Sequence, residues 1–156
     1  MMDRRTFVRS ALGAGAVALI APRVVHAARV AASIPMTVYK SPTCGCCKEW
    51  IKHVKANGFS VKVIELDDVT PMQRAAGVPL AMGSCHTALV GKYVVEGHVP
   101  ADLIHKILQE KTAIAGLAVP GMPLGAPGME QGGNARPYTV MSWTKDGKTA
   151  VFARRG

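Results

Sequence analysis

A predicted strand, a helix and a second strand follow one another early in the chain, and this succession constrains the fold most. The β-type run Met36–Lys40 ends at Ser41-Pro42. From Cys44 onward the apolar side chains recur at helical spacing, and Gly58 is a suitable end for that helix. Ser60–Leu66 alternates and is rich in β-branched residues, which predicts a strand. Parallel strands joined in this way need their crossover helix packed on the sheet, so we expect an α/β fold.

The following segments extend the pattern. Thr70–Ala76 predicts a short helix, Cys85–Val90 and Tyr93–Gly97 predict a pair of strands, and Ala101–Lys111 predicts a helix with a buried apolar stripe. The resulting order, β-α-β-α-β-β-α, is that of a thioredoxin-like domain. We place this domain at residues 36–111.

Residues 112–156 are expected to form a C-terminal extension. Its first part, Thr112–Pro137, is rich in Gly, Pro and Met, and we expect it to lack regular structure. It leads into a predicted β-hairpin made of Tyr138–Trp143 and Thr149–Arg154, with the turn at Asp146-Gly147.

The first 27 residues have the character of an export signal peptide. A basic start is followed by an apolar stretch that is shorter than the ~20 residues a membrane-spanning helix needs. Arg4 and Arg5 with Phe7 behind them resemble a twin-arginine (Tat) signal. We therefore expect export to the periplasm, a mature tail at residues 28–35, and no membrane span in the mature chain.

Charge gives no indication of nucleic-acid binding. The net charge of +9 includes four arginines and one aspartate of the export segment, so the mature chain carries +6. The remaining basic residues are scattered and do not form a stripe interleaved with aromatic residues.

We expect the mature protein to be a monomer.

Three cysteines within four positions, in the stretch "CGCC", carry the chemistry. Cys44 and Cys47 have C-x-x-C spacing at a helix N-terminus, where the helix dipole favours a thiolate. One hypothesis is therefore a thiol-disulfide oxidoreductase with Cys44 as nucleophile and Cys47 as resolving thiol. Cys46 disfavours it, because a third thiol offers a competing partner for any mixed disulfide.

A metal site is the other hypothesis. Zinc could be bound by Cys44, Cys47, Cys85 and His86. However, the side chains of Cys46 and Cys47 diverge by roughly 100° on a helix, which favours a polynuclear thiolate cluster. Two structural disulfides are disfavoured, because they usually join distant loops rather than cysteines within one turn.

The methionines that the mature chain offers favour a soft metal. Sites that combine thiolates with thioethers prefer Cu(I). Met122 and Met129 lie in "PGMPLGAPGM", a loop with few apolar residues to pack against, so they are candidate ligands. His86 is a ligand only if its strand starts after Cys85, because neighbouring strand residues point to opposite faces. His98 is interpreted as a cap or a group behind the ligands.

The thioredoxin-like order also places Cys85. In such domains the loop leading into the third strand lies against the C-x-x-C turn, which by analogy brings Cys85 close to Cys44. Thioredoxin-like domains usually have a cis-proline at this point, whereas this chain has Ser84-Cys85-His86. This departure disfavours disulfide exchange.

The motifs "CGCC", "SCHTALV", "VEGHVP" and "LAVPGMPLGAPGM" together resemble those of the CopG family of periplasmic copper-resistance proteins, from Met36 to the C-terminus. The resemblance implies copper bound at Cys44, Cys46, Cys47 and Cys85, with further contacts from the C-terminal extension. It implies that the protein sequesters copper or interconverts Cu(I) and Cu(II), as a copper oxidoreductase would. Other periplasmic copper-export or copper-handling proteins are the expected partners. A passive copper chaperone would use the same ligands.

Overall fold

A computed structural model describes residues 32–130 and 136–156. The export signal predicted at residues 1–27 lies outside the described residues, and so do residues 28–31 of the predicted tail. The rest of that tail is not all irregular, because the first strand starts at Ile34, two residues earlier than predicted.

The element order from the first strand to the third α-helix is the predicted one, and the bounds differ by only a few residues. The strands are β1 (Ile34–Lys40), β2 (Phe59–Glu65), β3 (His86–Val90), β4 (Tyr93–Glu96), β5 (Gly116–Ala118), β6 (Tyr138–Trp143) and β7 (Thr149–Arg155). The α-helices are α1 (Gly45–Ala56), α2 (Thr70–Ala75) and α3 (Ala101–Glu110), and a short 3₁₀ turn spans Leu80–Met82.

All seven strands belong to one mixed sheet, in the order β2-β1-β3-β4-β5-β6-β7. β1 pairs in parallel with β2 and antiparallel with β3, and β4 pairs in parallel with β5. Because β1 and β3 are neighbours, the loop after β1 and the loop before β3 lie at the same end of the sheet. This placement brings the cysteine turn and Cys85 together.

Helix α1 is held against the sheet by its apolar stripe. Cys47, Trp50 and Val54 are fully buried, and the Trp50 indole N–H donates to the carbonyl of Val99 at 2.9 Å. The stripe of α3 is buried in the same hydrophobic cluster, together with residues of β1, β3 and β4. Full burial of a side chain such as valine or leucine stabilises the fold by ~1.5–3 kcal/mol. The start of α1, where the cysteines lie, is therefore anchored by the core immediately behind it.

The C-terminal extension contains a strand that the sequence analysis missed. β5 lies in the segment expected to lack regular structure and joins the sheet between β4 and β6. A side chain at Gly116 would meet the carbonyl of Val94 and the ring of Trp143, so only glycine fits. The predicted hairpin is confirmed as β6 and β7, and it continues the same sheet.

No helix in the described part of the chain is long and apolar enough to span a membrane.

Candidate metal centre

The turn between β1 and α1 holds three sulfur atoms. Cys44 caps α1, and its Sγ accepts a hydrogen bond of 3.3 Å from the backbone N–H of Cys47. Cys44 and Cys47 are joined by a disulfide, whereas Cys46 is a free, half-buried thiol. The N-cap position is usually occupied by serine, threonine, aspartate or asparagine. Here a cysteine occupies it, so a reactive sulfur lies at the N-terminus of α1.

Cys85 completes the sulfur cluster from the loop before β3. Its Sγ lies 3.9 Å from Cys46 Sγ, and Cys46 Sγ lies 3.6 Å from Cys44 Sγ. The Sγ of Cys47 is 3.6 Å from the carbonyl oxygen of Cys85. All four sulfurs lie within 4.8 Å of one another, as the thioredoxin-like analogy predicted for Cys85. Two structural disulfides do not form, because Cys46 and Cys85 are free.

Two histidines, His86 and His98, also lie close to the sulfur of Cys85. His98 Nε2 lies 3.2 Å from Cys85 Sγ, and His98 Nδ1 lies 2.8 Å from the carbonyl oxygen of Pro127. A carbonyl only accepts hydrogen bonds, so Nδ1 carries the ring proton and the lone pair of Nε2 points at the sulfur. Burial lowers the pKa of His98, which keeps the ring neutral. Metal-binding histidines commonly have this arrangement, with the outer nitrogen donating to a carbonyl.

His86 reaches Cys85 because β3 starts after the cysteine. The alternation that would separate the two side chains therefore does not apply, and His86 Nδ1 lies 3.3 Å from Cys85 Sγ. The ring is fully buried and packs on Trp50 with 4.4 Å between ring centroids. Burial lowers its pKa to about 3, and its Nε2 has no hydrogen-bond partner among the described residues.

Cys85 is thus surrounded by donor atoms, and Cys85, His86 and His98 form a second potential metal-binding group that shares Cys85 with the first. Burial, followed by the closeness of Cys46, raises the pKa of Cys85 to about 12. The protein alone therefore disfavours negative charge at this sulfur. A soft cation would offset that penalty, and neutral imidazoles with thiolates are donors suited to such a cation.

Two solved structures are similar to this chain over most of its length. Both are named copper resistance protein CopG, one form 1 and the other form 2. Form 2 is 44% identical, with a TM-score of 0.75, and the match covers 80% of this chain and 99% of that one. Form 1 is 45% identical, with a TM-score of 0.74 and coverage of 79% and 98%. This chain belongs to the CopG family.

The family resemblance found in the sequence is therefore confirmed. A family model described as a protein of unknown function, DUF411, also matches residues 82–129, which include Cys85 and both candidate histidine donors. No curated protein matches the chain.

A buried carboxylate holds the Cys85 loop in this CopG-family chain. Glu96 is fully buried, and its Oε1 accepts from the backbone N–H of Ser84 and from the amide of Gln73, both at 2.7 Å. Its Oε2 accepts from the hydroxyl of Thr87 at 2.7 Å. Gln73 also donates to the carbonyl of Ser84 at 2.9 Å. The residues on either side of Cys85–His86 are therefore fixed by one side chain of β4.

The two methionines of the extension differ in their surroundings. Met129 is buried in the hydrophobic cluster that contains Trp50. The expectation that it has few apolar neighbours is therefore wrong. The loop passes close to α1 here, since a side chain at Gly128 would collide with the backbone of Trp50. Met122 is 55% exposed, as expected for a loop residue without packing. A ligand role for either methionine stays a prediction.

His98 and Glu96 are the site residues whose closeness to Cys85 the sequence analysis did not foresee. The sequence around His98 predicts a cap or a group behind the ligands, whereas its Nε2 lies 3.2 Å from Cys85 Sγ. A histidine and a glutamate within "VEGHVP", at the end of an apolar strand, were the available signal. His98 contacts the carbonyl of Pro127 in the C-terminal extension, and Glu96 contacts Gln73, Ser84 and Thr87, and no local pattern indicates these contacts.

Proposed function

We propose that this chain binds copper through Cys44, Cys46, Cys47 and Cys85 together with His86 and His98, as part of copper resistance in the periplasm. Copper is here the cargo or substrate rather than a resident cofactor. The observation that carries the proposal is the crowding of donors around Cys85, with another thiol and two neutral imidazoles within 3.9 Å. The CopG family membership supports copper as the metal.

The overlap of two donor groups supports a polynuclear site. Cys85 belongs both to the four-cysteine group and to the group with His86 and His98. A thiolate can bridge two soft ions, so Cys85 is the proposed bridge. Met122 is proposed as an outer ligand from the extension, because it lies in the loop and is 55% exposed.

Zinc is the alternative metal, because mixed cysteine and histidine sets also bind zinc. The reduced protein should be loaded anaerobically with excess Cu(I), or separately with Zn(II), then desalted and analysed for metal and protein. We expect more than one copper per chain and retention of copper in competition with zinc. A single zinc that copper does not displace would contradict the proposal.

Paired histidine variants test the donor set. His98→Ala should lower Cu(I) affinity by about tenfold or more, since ligand and supporting groups commonly contribute that much. His105→Ala is the matched control, because His105 lies on α3 and contacts Asn57 and Phe59 rather than the sulfur cluster. Equal affinity in the two variants would exclude His98 as a donor.

A thiol-disulfide oxidoreductase is the second candidate function, favoured by the Cys44–Cys47 disulfide at the start of α1. Reduction of insulin by the metal-free dithiol protein tests it, and Cys47→Ser should abolish that activity. Activity in the unmodified protein without any copper binding would favour this function over the first. A passive copper chaperone predicts the same ligands as copper sequestration and differs in lacking redox turnover.

A further inference from the structure

The four cysteines fall into two chemically different pairs. Cys44 and Cys47 are bonded to each other, whereas Cys46 and Cys85 are free thiols 3.9 Å apart. A cysteine binds a metal ion as its thiolate, and a disulfide sulfur carries no negative charge. The disulfide therefore removes two of the four thiolate donors and leaves Cys46 and Cys85 as free thiols.

The donors that remain still form a site. Cys85 keeps His98 Nε2 at 3.2 Å and His86 Nδ1 at 3.3 Å, and Cys46 stays beside it. Neither histidine contacts the disulfide through a hydrogen bond. The oxidised chain therefore presents a smaller mixed sulfur–nitrogen set, and the reduced chain presents the same set enlarged by two thiolates.

We propose that Cys44 and Cys47 are the electron source for reducing Cu(II) in this protein, with the disulfide as the product. Each thiol gives up one proton and one electron. A bond forms between the two Sγ atoms, two Cu(II) ions become two Cu(I) ions, and two protons pass to solvent. This inference rests on the proposed function that the site binds copper. Return to the dithiol requires an external dithiol reductant acting by thiol–disulfide exchange.

Geometry selects this pair over the other cysteines. The Cα atoms of Cys44 and Cys47 are 5.4 Å apart, within the usual range for a disulfide, and both residues belong to the first turn of one helix. The backbone N–H of Cys47 points at Cys44 Sγ, which favours the thiolate that loses the electron. Cys44 is half-buried and Cys47 fully buried, so Cys44 is the sulfur that incoming Cu(II) can reach.

The test treats fully reduced, metal-free protein with Cu(II) in the absence of oxygen. Cu(I) is measured with a chromophoric Cu(I) chelator, and free thiols are counted after unfolding. We expect two Cu(I) per chain and a fall from four free thiols to two. After alkylation and trypsin digestion, residues 41–48 should form a single peptide with an internal disulfide, and residues 75–92 should carry an alkylated Cys85. Fragmentation of the first peptide should assign the bond to Cys44 and Cys47.

Each other result has a defined meaning. A disulfide that links the two peptides would assign the oxidation to Cys85 and overturn the inference. Four intact thiols, in protein that still binds added Cu(I), would overturn the inference and leave the proposed copper binding standing. Failure of the reduced protein to bind added Cu(I) would overturn both. Cys47→Ser should form no disulfide within the peptide, and a yield of two Cu(I) from that variant would also contradict the assignment.

Discussion

Replacement of Glu96 by alanine removes the acceptor that holds both sides of the Cys85 loop. Three donors lose their partner: the backbone N–H of Ser84, the amide of Gln73 and the hydroxyl of Thr87, each 2.7 Å from the carboxylate. A buried donor without a partner costs ~1–3 kcal/mol. Ser84 and Gln73 are half-buried, so their unpaired groups can bind water, and Gln73 keeps its hydrogen bond to the carbonyl of Ser84. For these two donors the loss of the partner therefore costs the lower value, ~1 kcal/mol each.

The net effect is smaller than the sum of the three losses, because the alanine variant no longer buries a carboxylate. Burial raises the pKa of Glu96, which shows that the protein disfavours its charged form. We therefore expect Glu96→Ala to lower the free energy of unfolding by about 2 kcal/mol. For a chain of this size that corresponds to a fall in Tm of roughly 4–8 °C.

Glutamine at the same position separates hydrogen bonding from charge. The amide oxygen of Glu96→Gln can still accept from Ser84 and Gln73, and its NH₂ group can donate to Thr87, whose hydroxyl can also accept. We expect a loss below about 1 kcal/mol for this variant. Glu110→Ala is the surface control, because Glu110 is half-exposed and forms an ion pair with Lys106 at the surface, and it should stay within about 0.5 kcal/mol of the unmodified protein.

Thermal and denaturant unfolding of the metal-free variants measure these differences, and competition with a Cu(I) chelator measures the consequence for the site. Glu96→Ala should lower Cu(I) affinity by about tenfold, the size usual for groups that orient metal ligands, and Glu96→Gln should restore most of it. Equal stability of the alanine and glutamine variants would refute the hydrogen-bond argument. Reduced stability with unchanged copper affinity would refute the role in positioning Cys85.

Three further substitutions test the extension. Gly116→Ala should destabilise the protein by about 1–3 kcal/mol, because a methyl group there meets the ring of Trp143, whereas Gly45→Ala meets nothing and should not lower Tm in the same unfolding assay. Met129→Ala should cost about 2–4 kcal/mol in denaturant unfolding, since the side chain is part of the core, and a loss below 1 kcal/mol would contradict its packing role. Met122→Ala should leave stability within about 0.5 kcal/mol but lower Cu(I) affinity severalfold by chelator competition. Unchanged affinity would exclude Met122 as a ligand.

The mixed α/β order and the cysteine turn could be predicted from the sequence because both depend on short-range patterns. The apolar spacing of Trp50 and Val54 forms one face of α1 whatever surrounds it, and the same helix places three cysteines in one turn. Predicting that Cys85 lies close to Cys44 also required an analogy with thioredoxin-like domains, in which the loop before the third strand lies against the C-x-x-C turn. The separation of the two methionines into a buried and an exposed one was not predictable, since both have the same Gly- and Pro-rich neighbours.

Sequence alone determined the sulfur chemistry of this protein, because the positions of Cys44, Cys46 and Cys47 within one turn are a matter of covalent spacing and helix geometry. Tertiary structure alone decided how that chemistry is completed. β5 has only three small or apolar residues and forms because β4 and β6 supply its hydrogen-bond partners. The lone pair of His98 Nε2 faces Cys85 Sγ because Nδ1 donates its proton to the carbonyl of Pro127, 29 residues away. Such contacts depend on which segments meet in space, and local sequence patterns do not indicate which segments these are.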